Sequence, residues 1–242
     1  MRITIFGATG AVGSRVVAEA VARGHKVTAV GRNEQRLRAL VAGMTETEVT
    51  KNGGGQRALA SGADETDVSS GGGMRVQRGD ASDPAEVARL SRGQDVVIAA
   101  TRPVVGQEGE LAIAAKGLTA GLAGSGVRLL MVGGAASLTL PGNPGTTVVE
   151  QAGFPVELLP IALACNEQLE VVRGSSGVDW TYLSPPAVLE PGTRTGNYRV
   201  GRDELLVAPG GTSYLSMEDF AVALIDEAEK PLHRGVRFTV GS

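Results

Sequence analysis

The chain is 242 residues long, which suits one α/β domain spanning residues 1–242, and its 23 basic against 26 acidic side chains give no electrostatic footprint for nucleic acid. Cys165 is the only cysteine, which excludes an internal disulfide and fits a reducing, cytoplasmic setting. No apolar run approaches the roughly 20 residues of a membrane span, and the first residues lack the basic and apolar regions of a signal peptide, so no membrane partner is expected.

Arg2 to Phe6 is a short apolar-rich run, long enough for one buried strand. Gly7-Ala8-Thr9-Gly10-Ala11-Val12-Gly13 follows as a G-x-x-G-x-x-G turn, and Val12, Val16, Val17, Ala20 and Val21 then recur at helical spacing. A strand, a glycine turn and a helix are the parts of a dinucleotide site. Glycine permits the tight turn, the backbone approach to a pyrophosphate and the close packing of helix on strand. The helix start adds free N–H groups and a positive dipole end.

His25 to Val30 reads as a second strand, and Asn33 to Ala42 as a helix that Asn33 caps. Met74 to Arg78 is a third strand, followed by a helix with Ser82 or Asp83 as its cap and Pro84 in its first position. Asp95 to Ala100 forms a fourth strand, a helix lies within Gly109 to Ala123, and Val127 to Val132 forms a fifth strand. Leu158 to Arg173 is helical and Val178 to Leu183 is a sixth strand. Ser216 caps a last helix ending at Glu229, and Val236 to Val240 is a final strand. Alternating β and α units of this length imply right-handed crossovers and a mostly parallel sheet covered on both faces, a doubly wound Rossmann-type fold.

Residues 43–73 break the rhythm. They contain Gly53-Gly54-Gly55 and Gly71-Gly72-Gly73 with few large apolar groups, where most α/β connections take about 2–6 residues. Their composition favours disorder, with an ordered flap or lid as the alternative, since Thr47-Glu48-Val49-Thr50 and Ala58-Leu59-Ala60 are compatible with local structure.

The second strand ends Ala29-Val30-Gly31-Arg32, without the carboxylate that usually binds the ribose of NAD. An arginine there can fork onto a 2′-phosphate, which favours NADP(H) over NAD(H), and Arg36 is a possible second donor. Asp80, after the third strand, can accept from an adenine amino group, with Ala81 against the ring. Ala99 and Ala100 end the fourth strand with small side chains that let a ribose lie close, and Thr101 can hydrogen-bond it.

With these features the chain resembles the atypical short-chain dehydrogenase/reductases. The segments Val132-Gly133-Gly134-Ala135-Ala136-Ser137-Leu138, Asp179-Trp180-Thr181-Tyr182-Leu183-Ser184-Pro185 and Gly192-Thr193-Arg194-Thr195-Gly196 sharpen the likeness. With Asp203-Glu204-Leu205-Leu206-Val207 and Asp219-Phe220-Ala221-Val222-Ala223, they resemble the NAD(P)H-binding group labelled NADH-flavin reductases. That group is similar in outline to biliverdin reductase B and the NmrA-like proteins. The resemblance covers the chain outside residues 43–73. It implies a cofactor lying across Gly7–Gly13, Arg32, Asp80 and Ala99–Thr101, and a small-molecule acceptor between the ends of the fifth and sixth strands and the C-terminal region.

Catalysis departs from the wider family. Its usual Tyr-x-x-x-Lys pair is missing, because four residues after Tyr182, Tyr198 and Tyr214 stand Pro186, Arg202 and Glu218. Hydride transfer to a flavin or quinone needs no dedicated protein acid and remains open. Ser137, Asn166, Cys165 and Ser184 are polar candidates for the pocket, with Ser137 and Asn166 as weak catalytic candidates. Cys165 lacks a basic sequence neighbour, which argues against a nucleophile. His25 and His233 have no metal-ligand spacing, so no metal is expected. Three readings stand: an NADPH-dependent reductase of planar acceptors, a non-catalytic NADP(H) sensor, and a biosynthetic enzyme that uses the fold for other chemistry.

Overall fold

The computed structural model describes residues 1–51, 66–68 and 73–242. In chain order the main elements are β1 (Arg2–Phe6), α1 (Ala11–Ala22), β2 (Lys26–Gly31), α2 (Glu34–Lys51), β3 (Thr66–Val68), β4 (Met74–Arg78), α3 (Pro84–Ser91) and β5 (Val96–Ala99). There follow α4 (Glu110–Leu122), β6 (Arg128–Val132), β7 (Thr139–Leu140), β8 (Asn143–Thr147), α5 (Leu159–Arg173) and β9 (Trp180–Ser184). The chain ends with β10 (Val188–Glu190), β11 (Arg199–Gly201), β12 (Tyr214–Ser216), α6 (Met217–Glu229) and β13 (Val236–Gly241).

One sheet organises the molecule, in the order β11-β13-β9-β6-β5-β1-β2-β4-β3. Its interior strands are all parallel, and only the two edges, β3 on β4 and β11 on β13, are antiparallel. From β4 to β13 the order is the doubly wound one, with the direction of winding reversing between β1 and β5.

The central strands β1, β2, β5, β6 and β9 are largely buried because both faces of the sheet are covered. Successive side chains of a strand point to opposite faces. Ile3, Ile5, Val27, Ala29, Ile98 and Leu130 therefore enter a core with α1 and α6. Phe6, Val30, Val97, Leu129, Met131 and Tyr182 enter the other core, with α3, α4 and α5. Leu138, Val148 and Leu205 form a small third cluster beyond the sheet.

Two of the expected caps hold their helices directly. Asn33 Oδ1 accepts from Arg36 N at 3.0 Å, and Ser216 Oγ accepts from Asp219 N at 3.0 Å. For α3 it is Asp83 rather than Ser82 that caps, accepting from Ala85 N and Glu86 N with Pro84 behind it. Among the described residues no helix is long and apolar enough to cross a membrane.

The segment 43–73 is more structured than its composition implies, at both of its ends. Helix α2 runs on to Lys51 instead of ending at Ala42, because Gly43 is followed by residues, two glutamates among them, that tolerate a helix. Thr66–Val68 pairs with β4 and covers a sheet edge that would otherwise present unpaired backbone groups. Ala58-Leu59-Ala60 and both glycine triplets, apart from Gly73, lie outside the described residues, as does the expectation of disorder or a lid there.

The C-terminal segments that carried the resemblance meet in space. Buried Asp219, in the first turn of α6, accepts from Thr195 N (2.8 Å), Thr195 Oγ1 (2.6 Å) and Gly196 N (2.7 Å). Glu218 accepts from Gly192 N at 2.7 Å, and Arg194 forks onto Glu19 of α1 at 2.7 and 2.8 Å. Residues 192–196 are thus strapped across α1 and α6.

A second buried charge group ties α6 to the sheet. Arg128 donates to the Glu227 carboxylate, to the Glu227 carbonyl (2.7 Å) and to Thr181 Oγ1 (2.7 Å), with both charged side chains almost fully buried. Replacing Glu227 with alanine leaves the Arg128 charge buried and unpaired. The expected cost is about 3–5 kcal/mol, read from the urea midpoint of unfolding.

Candidate functional site

The site is built where the winding of the sheet reverses. Gly7 leaves β1 with φ +76°, and a side chain there would place Cβ 2.4 Å from the Ala100 carbonyl oxygen at the end of β5. A Cβ on Gly13 would stand 2.1 Å from the Gly7 carbonyl, so α1 begins directly over the turn. Gly10 is the N-cap of α1 and supplies no side-chain oxygen, and the first turn contains no acid. The first-turn N–H groups and the positive helix end are therefore left for an anionic ligand.

A cleft of about 420 Å³ opens at this point. Of the expected cofactor residues, Gly7, Thr9, Gly10, Arg32, Asp80, Ala81, Ala100 and Thr101 line it. Ala8 and Ala99 instead point into the two cores, Val12 packs against the first of them, and Ala11 is exposed. Ala8, Ala11, Val12 and Gly13 belong to the turn and the start of α1, and Ala99 ends β5. Asn33, Arg36, Ser82, Arg102 and Glu110 also reach the cleft. Glu110 went unread because, as a first-turn acid of α4, it is fully accounted for by the helix dipole.

The part of the cleft lined by Arg32, Asp80 and Glu110 is charged. Arg32 Nη2 lies 3.0 Å from Glu110 Oε2 across the opening. The Glu110 carboxylate raises the Arg32 pKa, with a smaller contribution from Asp80. Asp80 Oδ1 accepts from Ser82 N (2.9 Å) and Ser82 Oγ (2.7 Å). Burial opposes its ionisation, but these bonds and the Arg32 charge hold the carboxyl below its usual value. Asp80 is thus an anion at neutral pH with Oδ1 engaged locally.

The candidates for catalysis fall elsewhere. Ser137 accepts from Arg237 Nη1 at 2.8 Å, and neither Ser137 nor Asn166 lines the cleft. The chain after β6 turns Ser137 toward Arg237 of β13, and Asn166 sits half-buried on α5. Tyr182 lies in the core, its ring filling the space a side chain at Gly133 would need. Its hydroxyl accepts from Gly134 N and faces the Cys165 carbonyl and Gln168 Oε1, each at 3.0 Å. Burial pushes the phenol pKa far up. Burial also pushes the Cys165 thiol up to about 11, against the charge of Arg102. Ser184 Oγ, at the end of β9, is buried without a hydrogen-bond partner.

The model of the NAD(P)H-binding family matches the chain over residues 7–53 and 41–230. The chain belongs to that family. It is similar to the Bacillus subtilis protein YwnB, with 33% identity over 245 residues covering 100% of this chain and 99% of the relative. Among solved structures it is similar to a Burkholderia pseudomallei protein provisionally named as exported, with 32% identity, a TM-score of 0.78 and full coverage of both chains. It is also similar to a Streptococcus pneumoniae protein provisionally named an NADH-flavin reductase, with 26% identity, a TM-score of 0.77 and coverage of 100% and 99%.

The cleft fits the group that the family binds. Thr101 Oγ1 is buried at its wall without a hydrogen-bond partner, a state that costs free energy unless a ligand completes it. The uncapped start of α1 supplies donors for phosphate beside it.

Gly7→Ala forces an L-residue into the left-handed region and onto the Ala100 carbonyl. It is expected to weaken NADH and NADPH binding more than about tenfold, by nicotinamide fluorescence, while far-UV circular dichroism keeps its helical signature. The Cys165 thiol is expected to resist a thiol-specific disulfide reagent at pH 8 in the native protein and to react at once in denaturant, as its raised pKa and burial require.

Proposed function

We propose that the protein is an NADPH-dependent oxidoreductase that passes hydride to a flavin or a similar planar acceptor. The observation that carries this reading is the pairing of a nucleotide cradle, with its orphaned Thr101 hydroxyl, and a Tyr182 hydroxyl sequestered in the core. The cradle supports nicotinamide chemistry. The sequestered phenol counts against alcohol–ketone chemistry and favours an acceptor that takes its proton from solvent.

When bound, the nicotinamide cofactor supplies two electrons as hydride. The chain's own part is binding and orientation. The start of α1 holds the pyrophosphate with backbone N–H groups, and Thr101 hydrogen-bonds the ribose. Arg32 and Arg36 face the adenosine ribose, where a carboxylate would repel a 2′-phosphate, and this favours NADPH. Asp80 and Ala81 flank the adenine. Positioning the acceptor against the nicotinamide then supplies most of the acceleration. A flavin is favoured as acceptor by the name of the Streptococcus pneumoniae relative. The single cysteine and the near-balanced charge are consistent with a reducing, cytoplasmic setting.

The test titrates purified protein with NADPH and NADH and then adds free FMN. The expected outcome is tighter binding of NADPH than of NADH, and nicotinamide absorbance that falls only once FMN is present. Tight binding without decay across flavins and quinones would favour a cofactor sensor. Binding of neither nucleotide would overturn the reading of the cleft.

A further inference from the structure

Among the described residues, the Arg32–Glu110 pair is the charge contact that joins two cleft-lining elements. Arg32 follows the end of β2, Glu110 opens α4, and both line the same cavity. Their side chains are 56% and 36% exposed, so the pair is hydrated and can exchange partners. Two acids, Glu110 and Asp80, and three cations, Arg32, Arg36 and Arg102, line the cleft, and Arg32 is the cation the two acids act on.

We infer that Glu110 is a specificity-determining residue: it competes with the cofactor's 2′-phosphate for Arg32 and so lowers affinity for NADPH selectively. The inference rests on the cofactor reading above. A phosphate brings about two negative charges and three acceptor oxygens and displaces a single carboxylate from a guanidinium. Glu110, once released, is left as a like charge beside the incoming phosphate. An unphosphorylated ribose displaces nothing, so NADH binds with the bridge in place. Glu110 therefore weighs against one cofactor and not the other.

The test measures dissociation constants for NADPH and NADH by nicotinamide fluorescence on the full chain, wild type and Glu110→Gln, each also in an Arg32→Ala background. Glutamine keeps the size and helix position and removes the charge. Glu110→Gln is expected to tighten NADPH binding about three- to tenfold and to leave NADH unchanged, with most of that gain lost when Arg32 is alanine. An equal shift for both nucleotides would overturn the inference and make the bridge a clasp over the adenosine. Weaker NADPH binding would overturn it too, because Glu110 would then be aiming Arg32 at the phosphate. Unchanged constants in Glu110→Gln, with wild type binding both nucleotides, would remove the role of Glu110 alone. Wild type that binds neither would remove the cofactor reading and the inference together.

Discussion

Everything at the functional end of this molecule depends on how closely two strand ends approach each other. The turn after β1 lies against the carbonyl at the end of β5 so tightly that Gly7 has no room for a Cβ, and α1 starts so close to the turn that Gly13 has none either. This contact occurs where consecutive strands begin to wind in opposite directions from the middle of the sheet. The helices that follow β1 and β5 consequently leave on opposite faces, and a crevice opens between their starts. The cleft is thus a consequence of topology, and glycine is what lets the topology close. The uncapped start of α1 then gives the crevice its chemical character, because backbone donors point into it without a side chain to satisfy them.

Charge is used in two different ways, and burial decides which. Away from the cleft, the Glu19 and Glu227 carboxylates are withdrawn from water and paired with arginines. Arg194 holds the Glu19 carboxyl below its usual pKa, and Arg128 is bound by Glu227 and Thr181. Such groups tie α1, α6, the strap of residues 192–196 and the sheet into one arrangement, since opening any of them leaves a buried ion uncompensated. Around the cleft the same residue types stay hydrated. Arg32, Glu110 and Asp80 interact across distances and exposures at which partners can be traded. That suits a surface that must admit and release a charged ligand.

The fold was readable because its signals are local. Helical spacing, Asn33, Asp83 and Ser216 as caps, and Pro84 at a helix start each act within a few residues, and each appears in the structure. The continuation of α2 to Lys51 and the strand Thr66–Val68 went unread because averaged composition hides the first, and the second forms only where a neighbouring edge awaits a partner. The short strands β7, β8 and β10 to β12 were not anticipated for the same reason: they carry little pattern of their own.

By itself the sequence determined the order of the main strands and helices, the glycine turn of residues 7–13, the arginine at the end of β2 and the missing Tyr-x-x-x-Lys pair. These are properties of residue type and near spacing, which survive without knowing where the chain goes next. Only the tertiary structure decided that Ser137 turns to Arg237 instead of the cleft, that Tyr182 spends its hydroxyl inside the core, and that Glu110 meets Arg32. Each of these depends on segments far apart in the chain being brought within hydrogen-bonding distance. That is set by sheet order and helix packing, and no local pattern of side chains encodes it.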